Sequence, residues 1–203
     1  AKKAVSKLYP DIASADYTSI ISDAAYARLR ATLDDARRRG ARIEPLLANA
    51  DFDGTLRKCP PCCVLEVSDA MRIMREEIFG PLLPVLSCRD IDAAVAYVNA
   101  RPRPLGLYLF TNSRRVSDFV LKRTVAGGVT INNCIYHVAQ GDLPFGGIGE
   151  SGMGRYHGYE GFQEFSHMKP IFRQPRLSAL HLFYPPYTKL HRMLFWLLLR
   201  LKR

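Results

Sequence analysis

Several absences bound this chain before anything it contains is weighed. No apolar run approaches the roughly 20 residues that cross a bilayer; the strongly apolar run near the end, residues 193–199, has seven. No secretory signal is legible, and five cysteines, an odd number, make no disulfide framework, so a reducing, cytoplasmic setting is expected. From residue 165 to 203 there are 8 basic residues and no acidic ones. The net charge of +10, from 29 Lys and Arg against 19 Asp and Glu, therefore resides mostly in the tail. A body that is nearly neutral gives no charged face for nucleic acid, and no such partner is expected. No internal repeat is present, and no H-E-x-x-H or doubled C-x-x-C brings metal ligands together, so no metal is expected.

What is present suffices for a core. The 203 residues are 48% hydrophobic and 24% charged, and a compact chain of this mass exposes roughly 9,600 Å², about 30% of its extended surface. Residues 22–39 carry Ala25, Leu29, Leu33 and Ala36 at helical spacing, with Gly40 as the stop. Apolar stretches at 43–48, 62–67, 82–88, 105–111 and 129–132 read as strands. Helices are expected from Asp90 or Ile91 to Asn99, and from an Asn112 or Ser113 cap to the neighbourhood of Val125. This alternation predicts an α/β fold with a parallel-dominated sheet and flanking helices. Residues 1–8 read as the end of a helix, 142–161 as a glycine-dense loop and 188–201 as a last helix. The expected organisation is a body over 1–168 and a basic, apolar tail over 169–203.

Three motifs invite a chemical reading. Gly147-Ile148-Gly149-Glu150-Ser151-Gly152 matches G-x-G-x-x-G, but Pro144 and Phe145 precede it instead of a strand, and Gly154 and Gly158 follow where a helix should open. A tight loop whose glycines take positive φ is the better reading. Cys59, Cys62 and Cys63 cluster without a second ligand pair, and Cys134 has His137 nearby in sequence but no third group to orient it. Of the histidines at 137, 157, 167, 181 and 191, none forms a close metal pair. Glu76-Glu77 before Ile78-Phe79-Gly80-Pro81 is either a solvated turn or a carboxylate held beside a flat ring, which would suit a ribose diol and a heterocycle. Local chemistry leaves both open.

The order of several segments adds a resemblance. Glu76-Glu77-Ile78-Phe79-Gly80-Pro81, Gly127-Gly128-Val129-Thr130-Ile131-Asn132, Leu143-Pro144-Phe145-Gly146-Gly147, and Ser151-Gly152-Met153-Gly154-Arg155-Tyr156-His157-Gly158 resemble the aldehyde dehydrogenase superfamily in order and spacing. Tyr156-His157-Gly158 and Phe165-Ser166-His167 look like its class 3 branch. Residues 99–105 and Pro185-Pro186-Tyr187 look most like bacterial coniferyl aldehyde dehydrogenases. The resemblance covers essentially the whole chain.

It implies oxidation of an aldehyde, aromatic and coniferyl-aldehyde-like, to the carboxylic acid with NAD or NADP. In the family a cysteine thiolate attacks the carbonyl, hydride passes to the nicotinamide, and a glutamate activates the water that releases the acyl group. The resemblance places that cysteine and glutamate upstream of Ala1, so the fold is expected to be incomplete on its N-terminal side and the chain supplies no catalytic residue. Carried over position by position, Glu77 matches the glutamate that binds the nicotinamide ribose, and Phe79 the phenylalanine beside it. Pro144, Phe145, Gly146 and Gly147 match the loop that shapes the substrate region, and Asn132 a structural asparagine. Two departures are the clustered Cys59, Cys62 and Cys63, and Glu150 where many relatives carry lysine.

The family forms dimers or tetramers, so a homo-oligomer, in the first instance a dimer, is expected with the tail at the contact. The apolar run flanked by Lys189, Arg192, Arg200, Lys202 and Arg203 also permits a peripheral membrane contact through 189–203. A different reading is a catalytically inactive remnant or interaction domain; a Gly-Gln-x-Cys-like segment upstream of Ala1 would decide against it. The purified 203-residue chain is expected to oxidise no aldehyde in the presence of NAD, and turnover in that assay would overturn the expectation.

Overall fold

The computed structural model describes residues 1–48 and 50–201; the side chain of His181 is outside the description, as are Lys202 and Arg203 of the expected tail contact. The chain divides into two compact units, Ala1–Val98 and Asn99–Arg203. The division expected at 168/169 thus falls inside the second unit.

In the first unit the elements are α1 (Lys2–Leu8), α2 (Asp23–Arg38), β1 (Arg42–Pro45), β2 (Cys62–Leu65) and β3 (Leu82–Pro84), with α3 (Ile91–Asn99) at its end. The Ser22 hydroxyl caps α2 by accepting the Ala25 N–H at 3.2 Å, and Asp23 sits in the first turn where the helix dipole favours a carboxylate. Gly40 takes φ +92 and ends the run, with Arg37 and Arg38 in the last turn. The inward stripe of α2, Leu29, Leu33 and Ala36, packs with Cys59, Cys62, Val64, Met71 and Leu82 into one buried cluster. The strands order β1-β2-β3, antiparallel between β1 and β2 and parallel between β2 and β3.

All three strands are shorter than the apolar stretches at 43–48, 62–67 and 82–88. Glu66 has φ +58, which no strand continues, and closes β2 after Leu65. Cys62 and Val64 face the core while Cys63 and Leu65 are half-exposed, the alternation of a strand covered on one side. The buried Lys58 ammonium donates to the carbonyls of Ser14 and Tyr17, and Tyr17 Oη donates to the Cys59 carbonyl at 2.7 Å. A buried charge needs such partners.

The second unit carries β4 (Gly106–Leu109), α4 (Arg114–Arg123), β5 (Gly128–Ile131), α5 (Gly158–Glu164) and α6 (Lys189–Leu201). β4 and β5 pair in parallel from Gly106↔Gly128 to Leu109↔Ile131. Two of the three strand pairings among the described residues are therefore parallel, in an α/β arrangement. Ser113, not Asn112, caps α4. The stretch 142–161 is not all loop: α5 begins inside it, at Gly158, despite two glycines within seven residues. Val120 is the buried hydrophobic side chain of this unit among the described residues. The α6 side chains Leu190, Met193 and Trp196 are exposed, and no helix among the described residues is long and apolar enough to cross a membrane.

One carboxylate ties α2 to the connection between β2 and β3. Asp35 Oδ2 accepts the backbone N–H of Arg72 at 2.9 Å and Oδ1 accepts Arg39 Nε at 2.9 Å. The Arg72 N–H first, and the Arg39 guanidinium second, hold its carboxyl below the usual carboxylate range. A group depressed in the folded state contributes stability that is present above the unfolded value, near 4, and is lost as pH falls through the folded value. The gap in Tm between the parent and Asp35→Asn is expected to be widest at neutral pH and to narrow on acidification below about pH 4; a gap independent of pH would show that Asp35 carries no such linkage.

Candidate functional site

The two groups of predicted site residues fall in different units. Glu77 and Phe79 belong to the first, in the turn between a 3₁₀ segment at Arg72–Met74 and β3. Here the structure separates two adjacent carboxylates. Glu76 takes a bidentate pair from Arg72, at 3.0 and 2.8 Å, and this bond holds its carboxyl below the usual range. Glu77 is exposed, and its carboxylate makes no bond among the described residues. Phe79 follows and is 74% exposed as a residue. The same turn therefore presents a free acceptor and a bare aromatic face, the pairing that a ribose diol and a flat heterocycle require.

The turn is held from α2. Arg28 Nη1 donates to the Glu77 carbonyl at 2.7 Å and Nη2 to the Ile78 carbonyl at 2.8 Å. Phe79 sits at φ +45, in a left-handed region that costs a bulky residue roughly 1–2 kcal/mol. At Gly80 an added Cβ would stand 2.6 Å from both Leu29 methyl carbons, so the backbone passes directly over the buried Leu29. Sequence reasoning missed Arg28, which lies among the polar residues of an amphipathic helix and whose partners are backbone carbonyls 49 and 50 residues away.

In the second unit, Phe145 is the centre of an aromatic group. Its backbone forms an antiparallel bridge with Tyr156, N–H to carbonyl at 2.8 and 2.9 Å. The Phe145 ring meets Tyr156 edge-on at 5.6 Å, stacks on His157 at 6.1 Å and lies 5.8 Å from His137. His137 is buried; Thr130 Oγ1 accepts its backbone N–H at 3.2 Å and lies 2.9 Å from its Nδ1. Phe145, Gly146, Gly147, Met153, Tyr156 and Phe165 line part of a cleft of about 570 Å³, and Pro144 leads into it half-buried. Gly147 lies against the backbone of Ser151 and Gly152. Asn132, at φ +58, accepts the Thr111 N–H at 2.8 Å and donates to the Thr111 carbonyl at 3.0 Å, stitching the ends of β4 and β5.

Two of the cysteines are held as thiols by burial. Burial pushes the Cys59 thiol up to about 12 and the Cys62 thiol up to about 11, so both are neutral thiols at pH 7. Cys134 is exposed, while the ring of His137 is buried against Thr130 and Gly128. No group of three metal-ligating side chains occurs among the described residues.

The loop's shape depends on close backbone contact. An added Cβ at Gly146 would overlap the Gly154 carbonyl and stand 2.9 Å from Arg155 Cα, atoms that cannot swing away. Gly146→Ala is expected to destabilise the protein by roughly 2 kcal/mol, read as a lowered urea midpoint; an unchanged midpoint would show the loop to be loose.

Residues 2–171 match the aldehyde dehydrogenase family. A probable coniferyl aldehyde dehydrogenase of Pseudomonas aeruginosa is 49% identical over 189 residues, 93% of this chain and 39% of that protein. The chain thus spans about two fifths of that relative's length. The substrate-bound structure of AldH from Staphylococcus aureus superimposes with a TM-score of 0.78 at 34% identity, over 97% of this chain and 42% of the other. A variant of aldehyde dehydrogenase C from Pseudomonas syringae, in complex with NAD+ and octanal, superimposes with a TM-score of 0.64 at 30% identity, over 74% and 31%. On the match across most of its length, and on the turn and loop that carry its motifs, this chain belongs to the aldehyde dehydrogenase family.

Proposed function

We propose that this chain serves the NAD- or NADP-dependent oxidation of an aldehyde to its carboxylic acid, and that the aldehyde is aromatic, of the coniferyl aldehyde kind. The observation that carries the coenzyme part is the contrast between Glu76, tied to Arg72, and Glu77, free beside the exposed ring of Phe79. Glu77 accepts hydrogen bonds from the hydroxyls of the nicotinamide ribose, and Phe79 gives that end of the coenzyme an apolar surface. The coenzyme supplies the hydride acceptor. Its nicotinamide ribose is the same in NAD and NADP, so these two residues serve either.

Pro144, Phe145, Gly146 and Gly147 shape the substrate region, with Phe145 fixed by its bridge to Tyr156 and its stack on His157. An aromatic wall of this kind suits a phenylpropenal more than a small polar aldehyde. The name of the Pseudomonas aeruginosa relative supports the same substrate class. The chain's own part is binding and orientation, and burial holds the Cys59 and Cys62 thiols neutral.

The test uses the protein at its natural length. Coniferyl aldehyde is oxidised with NAD+ or NADP+, and Glu77→Gln raises the coenzyme KM about tenfold while the aldehyde KM stays within about twofold. Absence of oxidation of any aromatic or aliphatic aldehyde by the parent would overturn the activity. An unchanged coenzyme KM in Glu77→Gln would overturn the role of the turn.

A further inference from the structure

We propose that Arg28 is a positioning residue for coenzyme binding: its guanidinium, by bonding the Glu77 and Ile78 carbonyls, sets the direction in which Glu77 and Phe79 meet the nicotinamide ribose. The inference rests on the coenzyme reading of Glu77 given above. Glu77 makes no side-chain bond of its own among the described residues, so its direction follows from the backbone that bears it. That backbone is fixed by two charge-assisted bonds of 2.7 and 2.8 Å to successive carbonyls, from the two terminal nitrogens of one rigid fork. A lysine at this position presents a single nitrogen on a flexible stem, without the planar fork that fixes both carbonyls in one direction.

The turn needs the hold. Phe79 occupies a backbone region that a bulky side chain leaves unless its surroundings over-determine it. Arg28 grips the residues just before Phe79, and Leu29, its neighbour on α2, lies against Gly80 just after it. The helix that supplies both is itself fixed. Ser22 caps its start, Leu29, Leu33 and Ala36 are buried in the core, and Asp35 ties its far end to Arg72. Arg72 in turn removes Glu76 from competition for the diol.

Arg28→Met, made in the protein at its natural length, removes both donors and keeps the aliphatic stem. The dissociation constant for NADH or NADPH, read from the fluorescence of the reduced nicotinamide, is expected to rise about tenfold. The coenzyme KM rises in step while the aldehyde KM stays within about twofold. Arg28→Lys gives an intermediate rise. In the double variant with Glu77→Gln the combined effect is smaller than the product of the single ones, because Arg28 acts through the same turn.

A coenzyme constant unchanged in Arg28→Met while Glu77→Gln raises it overturns the role of Arg28 alone. Equal rises in coenzyme and aldehyde constants, with a lowered Tm, assign Arg28 to the fold and overturn it too. If Glu77→Gln leaves coenzyme binding unchanged, the coenzyme reading fails first and this inference falls with it. Should Arg28→Met not fold, Arg28→Lys decides, and a parental coenzyme constant in that variant overturns the proposal.

Discussion

The polar edge of α2 is the interaction on which the first unit depends. A single helix reaches the segment at 72–80 at successive points: Asp35 takes the Arg72 N–H, Arg28 takes two carbonyls, and Leu29 underlies Gly80. Each contact meets backbone, so the segment's path is set without regard to which side chains it presents. That is the condition for an exposed recognition group. A carboxylate that is free to meet a ligand cannot also anchor itself, and its precision has to come from elsewhere. The Glu77 carboxylate is left unbonded among the described residues while Arg28 and Leu29 hold the backbone beside it, whereas Arg72 engages both oxygens of Glu76.

The parts of this arrangement that were legible in the sequence are those encoded locally. The Ser22 cap, the Gly40 stop and the apolar stripe of α2 follow from spacing, and α2 and α3 lie within a residue of expectation. Strand ends were less legible: β2 stops at Glu66, the one charged residue of the 62–67 stretch, through a backbone angle of φ +58 that its composition does not specify. The seven-residue α5 was hidden by Gly158 and Gly161. Its start is set by the loop before it, where Tyr156 pairs with Phe145, so tertiary contact overrides helix propensity there. For the site, the motif that carries Glu77 and Phe79 was visible, but the bonds that set its turn, Arg72 to Glu76 and Arg28 to two backbone carbonyls, belong to the fold. Arg72 and Glu76 stand at the i, i+4 spacing of a charge pair, whereas the carbonyls that Arg28 meets, 49 and 50 residues away, leave no pattern along the chain.

Burial is unevenly shared. Two compact units of half this mass would expose roughly 11,600 Å² even when wholly apart, yet the chain exposes 15504 Å². The first unit holds the clustered core, whereas the second has Val120 as its buried hydrophobic side chain among the described residues and leaves Phe162, Phe165, Phe172 and Leu177 between 66% and 93% exposed. Apolar surface on this scale is costly in water. The second unit is therefore organised by bonds and ring contacts: the β4–β5 ladder, the Asn132–Thr111 pair and the aromatic group around Phe145. Such contacts fix local geometry with little enclosed volume, so the loop at Phe145 keeps its shape where a core of its own is lacking.

This division has a consequence for how substitutions act. The described residues provide an acceptor, aromatic faces and a shaped loop, while burial holds the Cys59 and Cys62 thiols neutral. Groups of that kind contribute through placement, and a displacement of about 1 Å at a reacting centre can cost on the order of a hundredfold in rate. Changes at the ends of the supports, at Arg28 beneath the turn or Gly146 against Gly154, alter placement without removing Glu77, Phe79 or Phe145. They are distinguished from general damage by which constant they move. A support for one ligand shifts that ligand's binding alone, whereas loss of packing around Leu29 or Leu33 lowers stability and takes every constant with it.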